Sequence, residues 1–369
     1  MKPESGHREH PLRRESAFAW LLGELADLSP AYFGMVMATG IVAIAAGLLD
    51  MAVVARALFA LGVAAYLVLW VLTLLRVIYY RRRLVADLFD HLRGPGFFTT
   101  VAATSIVGTQ FVVLASDDRI ATLLWTVAIV LWVGLTYAIF AGLTVKPHKP
   151  TLDQGINGGW LLAVVATQSI AALSALLAAH IGQPVKLELN FFALSMWLWG
   201  GMLYIWMMSL IFYRYTFFTL APDDLSPPYW INMGAVAIST LAGATLFEHL
   251  PLVPALADLA PFIKGFTIFY WAMGTWWIPM LLVLGVWRYL LREFPLSYDP
   301  LYWGGVFPLG MYCVSTLRLG ETVQLPFLAT LSRVFLYLAV AAWTATLAGL
   351  ADTLIPWCPA RAAAGQRDR

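Results

Sequence analysis

The chain has 369 residues, of which 61% are hydrophobic and only 12% are charged. Soluble proteins are on average about 25% charged, so this chain has too few charges to cover a water-facing surface. The net charge of +2 gives no hint of a nucleic-acid partner. The cysteines, Cys313 and Cys358, have neither a metal-binding spacing nor a disulfide pattern. The composition excludes a soluble globular protein and predicts an all-α integral membrane protein that contacts the lipid bilayer.

Apolar stretches of about 20 residues, the length that crosses a ~30 Å hydrocarbon core, recur along almost the whole chain. Ten transmembrane helices are predicted, and their short connections leave no room for a soluble domain. The predicted spans are 30–49, 53–80, 97–116, 119–143, 158–180, 189–215, 229–248, 260–291, 301–319 and 327–354. The predicted organisation is an N-terminal tail, 1–28, a transmembrane transport domain, 29–354, and a C-terminal tail, 355–369.

The basic residues predict the orientation of the chain. With ten spans, both termini lie on one side of the membrane, and that side holds 17 of the 23 Lys and Arg residues. Basic residues are enriched in cytoplasmic segments. We therefore expect a multi-pass protein of the cytoplasmic membrane with both termini in the cytoplasm.

A repeat runs through the odd-numbered spans. Each begins with an aromatic residue, continues through small residues and reaches a cluster of hydroxyl side chains. The aromatic residues Phe33, Phe98, Trp160, Trp230 and Trp303 follow one another at intervals of 65, 62, 70 and 73 residues. The even-numbered spans are bulkier and carry most of the tryptophans. This period predicts five helical hairpins, with the small-residue helices packed closely around a quasi-five-fold central pore.

The neutral polar residues of the odd-numbered spans, together with one aromatic residue, are the candidates for lining this pore. Small and hydroxylated residues also pack helices together in any membrane bundle, so packing is the alternative interpretation for each residue alone. Recurrence in all five spans favours a lined path. The predicted pore-lining residues are Phe33, Thr39, Thr104, Ser105, Thr167, Gln168, Ser239, Thr240 and Ser315.

Four residues are predicted to weaken or kink the odd-numbered helices: Gly40, Gly108, Pro308 and Gly310. Proline removes a helical hydrogen bond, and unwound backbone at membrane depth is tolerated only where it is buried in protein or lines a cavity. Freed N–H groups and hydroxyls would favour an anion that has lost its water. An ordinary proline kink is the equal alternative. Phe307, just before the proline, is a candidate hydrophobic gate, although a lone phenylalanine in a span usually packs.

The middles of the odd-numbered spans contain no Asp, Glu, Lys or Arg, and no histidine is central in any span. A cation pathway or proton relay usually carries such a group. Haem ligation, a metal site or a hydrolytic nucleophile with its partner would also need side chains that these spans lack. The sequence therefore predicts a protein that is not an enzyme, binds no metal or cofactor, and passes a small anion.

Four segments resemble motifs of the tellurite-resistance/dicarboxylate transporter family. They are Phe33–Gly40, Arg93–Val101, Trp160–Gln168 and Trp303–Tyr312, and the resemblance extends from about Ser29 to Leu350. The family includes plant slow-type anion channels, fungal malate permeases and sulfite efflux pumps. The resemblance implies five hairpins around a pore, a homotrimer with one pore per subunit, anion transport, and occlusion of the pore by Phe307.

Three functions stay open from the sequence. The leading one is a channel or uniporter for small anions with an aromatic gate. The second is a proton-coupled carrier of dicarboxylates such as malate, or an exporter of sulfite or tellurite. Glu248 and Glu321, near the outer ends of spans, are the nearest candidates for such coupling. The third is a membrane enzyme subunit with bound haem, quinone or metal.

Overall fold

A computed structural model describes residue 23 and residues 25–354, and all regular structure in this part of the chain is helical. The two predicted tails lie almost entirely outside the described residues. We number the long helices α1 to α10. Their bounds are Phe33–Leu48, Ala52–Leu88, Phe98–Ala115, Asp118–Val145, Leu162–His180, Val185–Phe217, Ile231–His249, Ala260–Val286, Trp303–Val323 and Phe327–Leu354.

Nine helical segments of the described chain are long and apolar enough to cross a membrane. The prediction of an all-helical protein with many spans is therefore confirmed. Helix α9 is not among the nine. It contains Arg318 and Glu321 in its last turns, which lower its hydropathy. The count of ten spans thus stays a prediction.

Each odd-numbered helix begins with a 3-10 turn. Proline stands at the start of four of these turns, where its fixed φ and missing N–H suit the first turn of a helix. The Ser29, Asn157 and Asp299 side chains accept backbone N–H groups at three of the starts. The five turns contact one another in a closed ring. They are Pro30–Tyr32, Gly94–Phe97, Gly158–Leu161, Pro227–Trp230 and Pro300–Tyr302.

The odd-numbered helices themselves also form a closed ring. Helix α1 contacts α3, α3 contacts α5, α5 contacts α7, α7 contacts α9, and α9 contacts α1. Each even-numbered helix packs against the odd-numbered helix that precedes it. In the described chain, the exposed large hydrophobic side chains lie on the even-numbered helices or in connecting segments. The fold therefore has two layers, five inner helices and five outer helices that shield them.

We call the end of the bundle at which the inner helices begin the basic end, because Arg76, Arg93, Arg214 and Arg288 lie there; the opposite end is the distal end. The inner helices approach closely where glycine leaves room. A Cβ on Gly40 would lie 2.5 Å from Ile106 Cγ2 of α3, and one on Gly310 would lie 2.9 Å from Ile41 Cγ2 of α1. Neither contact leaves space for a side chain.

Replacing Gly40 by alanine is expected to destabilise the protein by about 1–3 kcal/mol, because the added methyl group overpacks the contact between α1 and α3. Gly134 of α4 is the matched control, since a Cβ there would meet nothing within 4 Å. Alanine at that exposed helical position should be neutral or stabilising by up to about 1 kcal/mol. Thermal melting of the detergent-solubilised proteins measures both effects. Equal stability of the two variants would contradict tight packing at Gly40.

Candidate functional site

A cavity of about 30 Å³ lies inside the ring of inner helices and is lined by side chains from all five. Helices α1, α3, α5 and α7 each contribute three residues at positions i, i+3 and i+7, such as Ile41, Ile44 and Leu48 of α1. Helix α9 contributes Val314 and Arg318. This spacing selects one face of each helix, so the five faces converge on a common axis. The volume is about that of one water molecule in the liquid.

Three hydroxyl groups line the cavity: those of Thr109, Ser169 and Thr245. Each donates to a backbone carbonyl of its own helix: Thr109 to Ser105 at 2.9 Å, Ser169 to Ala166 at 2.8 Å and Thr245 to Leu241 at 2.9 Å. The hydroxyls are therefore satisfied without a ligand. A hydroxyl that rotates away from its carbonyl can offer its proton to the cavity.

Arg318 is the one charged side chain among the described residues that line the cavity. It lies at the distal end and donates to the Glu321 carboxylate at 3.0 Å. Its side chain is 30% exposed, so water can reach the guanidinium. A cationic group at the mouth of an apolar, hydroxyl-bearing cavity attracts anions and repels cations.

Toward the basic end, the helical faces that line the cavity continue with apolar residues. Phe307 lies seven residues before Val314, which is about two helical turns along the same face of α9. The residues at the same distance on the other inner helices are Met37, Ala102, Val165 and Gly234. All five are buried, and Phe307 is only 1% exposed. Phe307 has the largest side chain of the five.

The hydroxyl groups of the predicted Thr39, Thr104 and Thr167 contact outer helices instead. Trp343 Nε1 donates to Thr39 at 3.0 Å and Trp132 Nε1 donates to Thr167 at 2.8 Å. Tyr66 shares a 2.9 Å hydrogen bond with Thr104. These bonds join α10 to α1, α4 to α5 and α2 to α3. None of the three threonines lines the cavity, and their role in a pore stays a prediction.

Two further bonds complete this pattern. Trp197 Nε1 of α6 donates to the Ser239 carbonyl of α7 at 2.8 Å, and Trp271 Nε1 of α8 donates to the Thr316 hydroxyl of α9 at 3.0 Å. Every outer helix therefore offers at least one aromatic polar group to the inner helix of the next hairpin. We call these five contacts the cross-layer hydrogen bonds.

The other predicted lining residues are also buried outside the cavity wall, and their pore role likewise remains untested. Phe33 packs edge-on against Trp70 of α2, with ring centroids 5.4 Å apart. Gln168 donates to the Trp197 carbonyl of α6 at 3.0 Å. Ser239, Thr240 and Ser315 donate to carbonyls of their own helices, and the Ser105 hydroxyl has no hydrogen-bond partner among the described residues.

The four predicted kink residues lie inside uninterrupted helices. Helical structure runs from Phe33 to Leu48 through Gly40, from Phe98 to Ala115 through Gly108, and from Trp303 to Val323 through Pro308 and Gly310. The backbone is therefore helical at all four positions. Gly108 faces Leu173 of α5, and Pro308 packs against Gly234 of α7. The residues act in close packing, and the degree of kinking stays a prediction.

Sequence reasoning missed Thr109, Ser169, Thr245 and Arg318 as cavity residues. It selected hydroxyl clusters without asking which face of the helix each hydroxyl occupies. The signal that identifies the cavity residues is a set of positions i, i+3 and i+7 at the same depth on each inner helix, of which α9 contributes the last two. Arg318 lies at the end of the predicted span 301–319, where a long basic side chain usually reaches the membrane interface, so the sequence does not single it out.

Comparison with known proteins matches residues 27–351 to the family described as "Voltage-dependent anion channel". An uncharacterized transporter of Methanocaldococcus jannaschii is 25% identical over 301 residues, which are 79% of this chain and 83% of that protein. A second uncharacterized transporter of that organism is 24% identical over 301 residues, 79% and 84% of the two chains. An uncharacterized membrane protein of Mycobacterium tuberculosis is 37% identical over 148 residues, 40% of this chain and 75% of that protein.

Replacing Trp343 by phenylalanine is expected to lower stability by about 1 kcal/mol, because the Thr39 hydroxyl loses its cross-layer donor. A double-mutant cycle with Thr39→Val should give a coupling energy of about 0.5–1.5 kcal/mol. Trp276→Phe is the matched control, since this tryptophan of α8 is exposed. Denaturant titration in detergent measures each step. A coupling energy near zero would show that the bond does not hold the layers together.

Proposed function

We propose that this chain, which belongs to the family of voltage-dependent anion channels, passes small anions across the cytoplasmic membrane by a channel-like or uniport mechanism. The resemblance to tellurite-resistance/dicarboxylate transporters noted from the motifs is confirmed by the family match. The observation that carries the proposal is the closed ring of inner helices around a cavity that all five line. A path at the centre of the ring is the shortest route through the protein.

The chemistry of the cavity wall supports an anion as cargo. The wall is neutral and apolar apart from three hydroxyls and the Arg318 guanidinium. A partly dehydrated anion finds hydroxyl donors there once they rotate, and it meets no lining carboxylate among the described residues. A cation would meet only oxygen lone pairs in the wall, and at the mouth the Arg318 guanidinium in its pair with Glu321.

Phe307 is the proposed gate. Its position two turns before Val314, and the small or flexible residues at the same level on the other inner helices, support this role. A buried apolar constriction blocks ions because it cannot replace their water. Displacement of one aromatic ring would then open the path while the ring of helices keeps its packing.

Phe307→Ala is expected to raise chloride flux into proteoliposomes by about tenfold, as for a barrier lowered by ~1.4 kcal/mol. Phe191→Ala on α6 is the matched control, because this phenylalanine is exposed on the outer layer. Flux is measured with a chloride-sensitive dye after rapid mixing. An unchanged flux in Phe307→Ala would remove the gate role. No anion flux in either protein would overturn the proposed function.

Arg318→Gln is expected to lower anion flux two- to tenfold at low ionic strength and less at high ionic strength, because salt screens the attraction of the guanidinium. Arg333→Gln on α10 removes an equal charge from an exposed site outside the cavity wall and should leave flux unchanged. The same dye assay at two salt concentrations measures the difference. Equal effects of the two variants would assign the loss to net charge alone.

Proton-coupled dicarboxylate transport and sulfite or tellurite export remain alternatives. The Glu321 carboxylate lies at the mouth of the cavity in its pair with Arg318, whereas Glu248 is exposed on α7. A counterflow screen of chloride, nitrate, malate, sulfite and tellurite, with and without an imposed pH gradient, separates the alternatives. Malate uptake that needs the gradient would favour the coupled carrier.

The remaining parts of the proposal concern assembly and chemistry. We propose a homotrimer with both termini in the cytoplasm, as the family resemblance and the distribution of basic residues indicate. An enzymatic role would require a reactive centre. In the part of the chain that the structure describes, no three His, Cys, Asp or Glu side chains are grouped to hold a metal. Membership of a channel family supports a protein that is not an enzyme.

A further inference from the structure

A second and larger cavity lies at the basic end of the bundle and shares no residue with the central one. It has a volume of about 410 Å³ and lies between α8, α9 and α10. Leu281, Leu284, Leu309 and Ala342 form part of its apolar wall, and Arg288 is its charged residue. It is more than ten times the volume of a water molecule. Its position between two outer helices puts it beside the lipid-facing surface.

Arg288 is nine-tenths buried and lies in a turn of π-helix, Trp287–Leu291, that extends α8. One of its terminal nitrogens donates to the Leu225 carbonyl, and the Phe294 ring lies 4.1 Å from the guanidinium carbon. Its Nε is buried without a hydrogen-bond partner, and no carboxylate of the described residues forms an ion pair with it. A buried cation without an anionic partner is costly.

Two other buried arginines at the basic end have the partner that Arg288 lacks. Arg76 of α2 pairs with Asp87, eleven residues later and near the end of the same helix. Arg214 at the end of α6 pairs with Asp224, ten residues later, at 2.9 Å. These pairs neutralise the guanidinium within the protein.

Asp299 stands eleven residues after Arg288, a spacing like the eleven and ten residues of the other two pairs. Its carboxylate instead accepts the Leu301 N–H at 2.7 Å and caps the turn before α9. The third arginine therefore faces the 410 Å³ cavity where the other two face a carboxylate. Among the described residues, the protein supplies no anionic partner for Arg288, so the partner must come from outside the chain.

We propose that this cavity binds an anionic glycerophospholipid of the surrounding membrane, with its phosphate on Arg288 and an acyl chain along the apolar wall between α8 and α10. A guanidinium matches a phosphate because its N–H groups donate to two oxygens at once. The apolar wall matches an acyl chain and gives a small hydrophilic anion nothing to bind. Tyr298 and Ser297 also line the cavity, and each carries a hydroxyl group. Burial raises the pKa of the Tyr298 hydroxyl, so this group stays a neutral donor.

Native mass spectrometry of the detergent-purified full chain, titrated with phosphatidylglycerol or phosphatidylcholine, tests the proposal. We expect the wild-type protein to bind phosphatidylglycerol about tenfold more tightly than phosphatidylcholine. A factor of about ten is the contribution expected of one charge-assisted hydrogen bond between the anionic lipid and Arg288. Arg288→Gln should reduce phosphatidylglycerol binding to the phosphatidylcholine level. Arg292→Gln is the matched control, because this exposed arginine follows one turn later on the same segment and does not line the cavity.

A second variant tests the cavity without touching the charge. Gly285 lines the cavity, and a Cβ there would meet nothing within 4 Å, so we choose Gly285→Phe to occupy the cavity with a large side chain. It should abolish tight phosphatidylglycerol binding while Arg288 is retained. If Arg288→Gln does not fold, Gly285→Phe still tests whether phosphatidylglycerol binds in this cavity.

Competition distinguishes the source of the anion. Displacement of phosphatidylglycerol by millimolar inorganic phosphate, or by oleate at equal concentration, would overturn a phospholipid as the occupant. Tight binding that survives both Arg288→Gln and Gly285→Phe would overturn the site itself. The proposal does not rest on anion conduction, since every measurement is of binding and none is of flux.

Discussion

The structure depends on inner helices that pack closely enough to close a ring of five. Lipid tails are as apolar as the helix surfaces, so no hydrophobic force drives helices together inside the membrane. Close van der Waals contact and interhelical hydrogen bonds must supply the cohesion. Gly40 and Gly310 admit the neighbouring helix where any side chain would obstruct it. The cross-layer hydrogen bonds then attach each outer helix to the inner helix of the next hairpin.

These constraints divide the surface of each inner helix into faces with different functions. On α1, Gly40 meets α3, the Thr39 hydroxyl receives a bond from α10, and Ile41, Ile44 and Leu48 face the axis. Residues that are neighbours in the sequence therefore have three different roles: close helix packing, hydrogen bonding to an outer helix, and lining the cavity. An axis lined by one narrow stripe of residues changes character with few substitutions, while the scaffold around it is preserved.

The arginines at the two ends of the bundle have different surroundings. Inside the bundle, the axis carries hydroxyls and ends at a single arginine, which suits a path for an ion that must not bind too tightly. At the basic end, buried arginines lie on α2, on α6 and in the turn that extends α8, and each needs an anion close by. Arg76 and Arg214 find aspartates, whereas Arg288 faces a cavity.

The sequence by itself determined the class of protein, the helical hairpins and the family. Length of apolar runs, scarcity of charge and the recurring aromatic and hydroxyl residues depend only on local composition and on the membrane as solvent. The positions of the helices were predicted within about four residues for the same reason, except that α2 continues to Leu88, eight residues beyond the predicted end. The family match from residue 27 to residue 351 agrees with the extent seen in the motifs.

The tertiary structure decided which residues face the axis. Thr39 and Ile41 are two positions apart and point in different directions, because successive residues of a helix turn by about 100°. Composition records that a hydroxyl is present, but only the packing of ten helices settles whether it meets an outer tryptophan or the central cavity. The unpaired state of Arg288 is likewise a tertiary property, since Asp299 has the right spacing and a different hydrogen-bond partner.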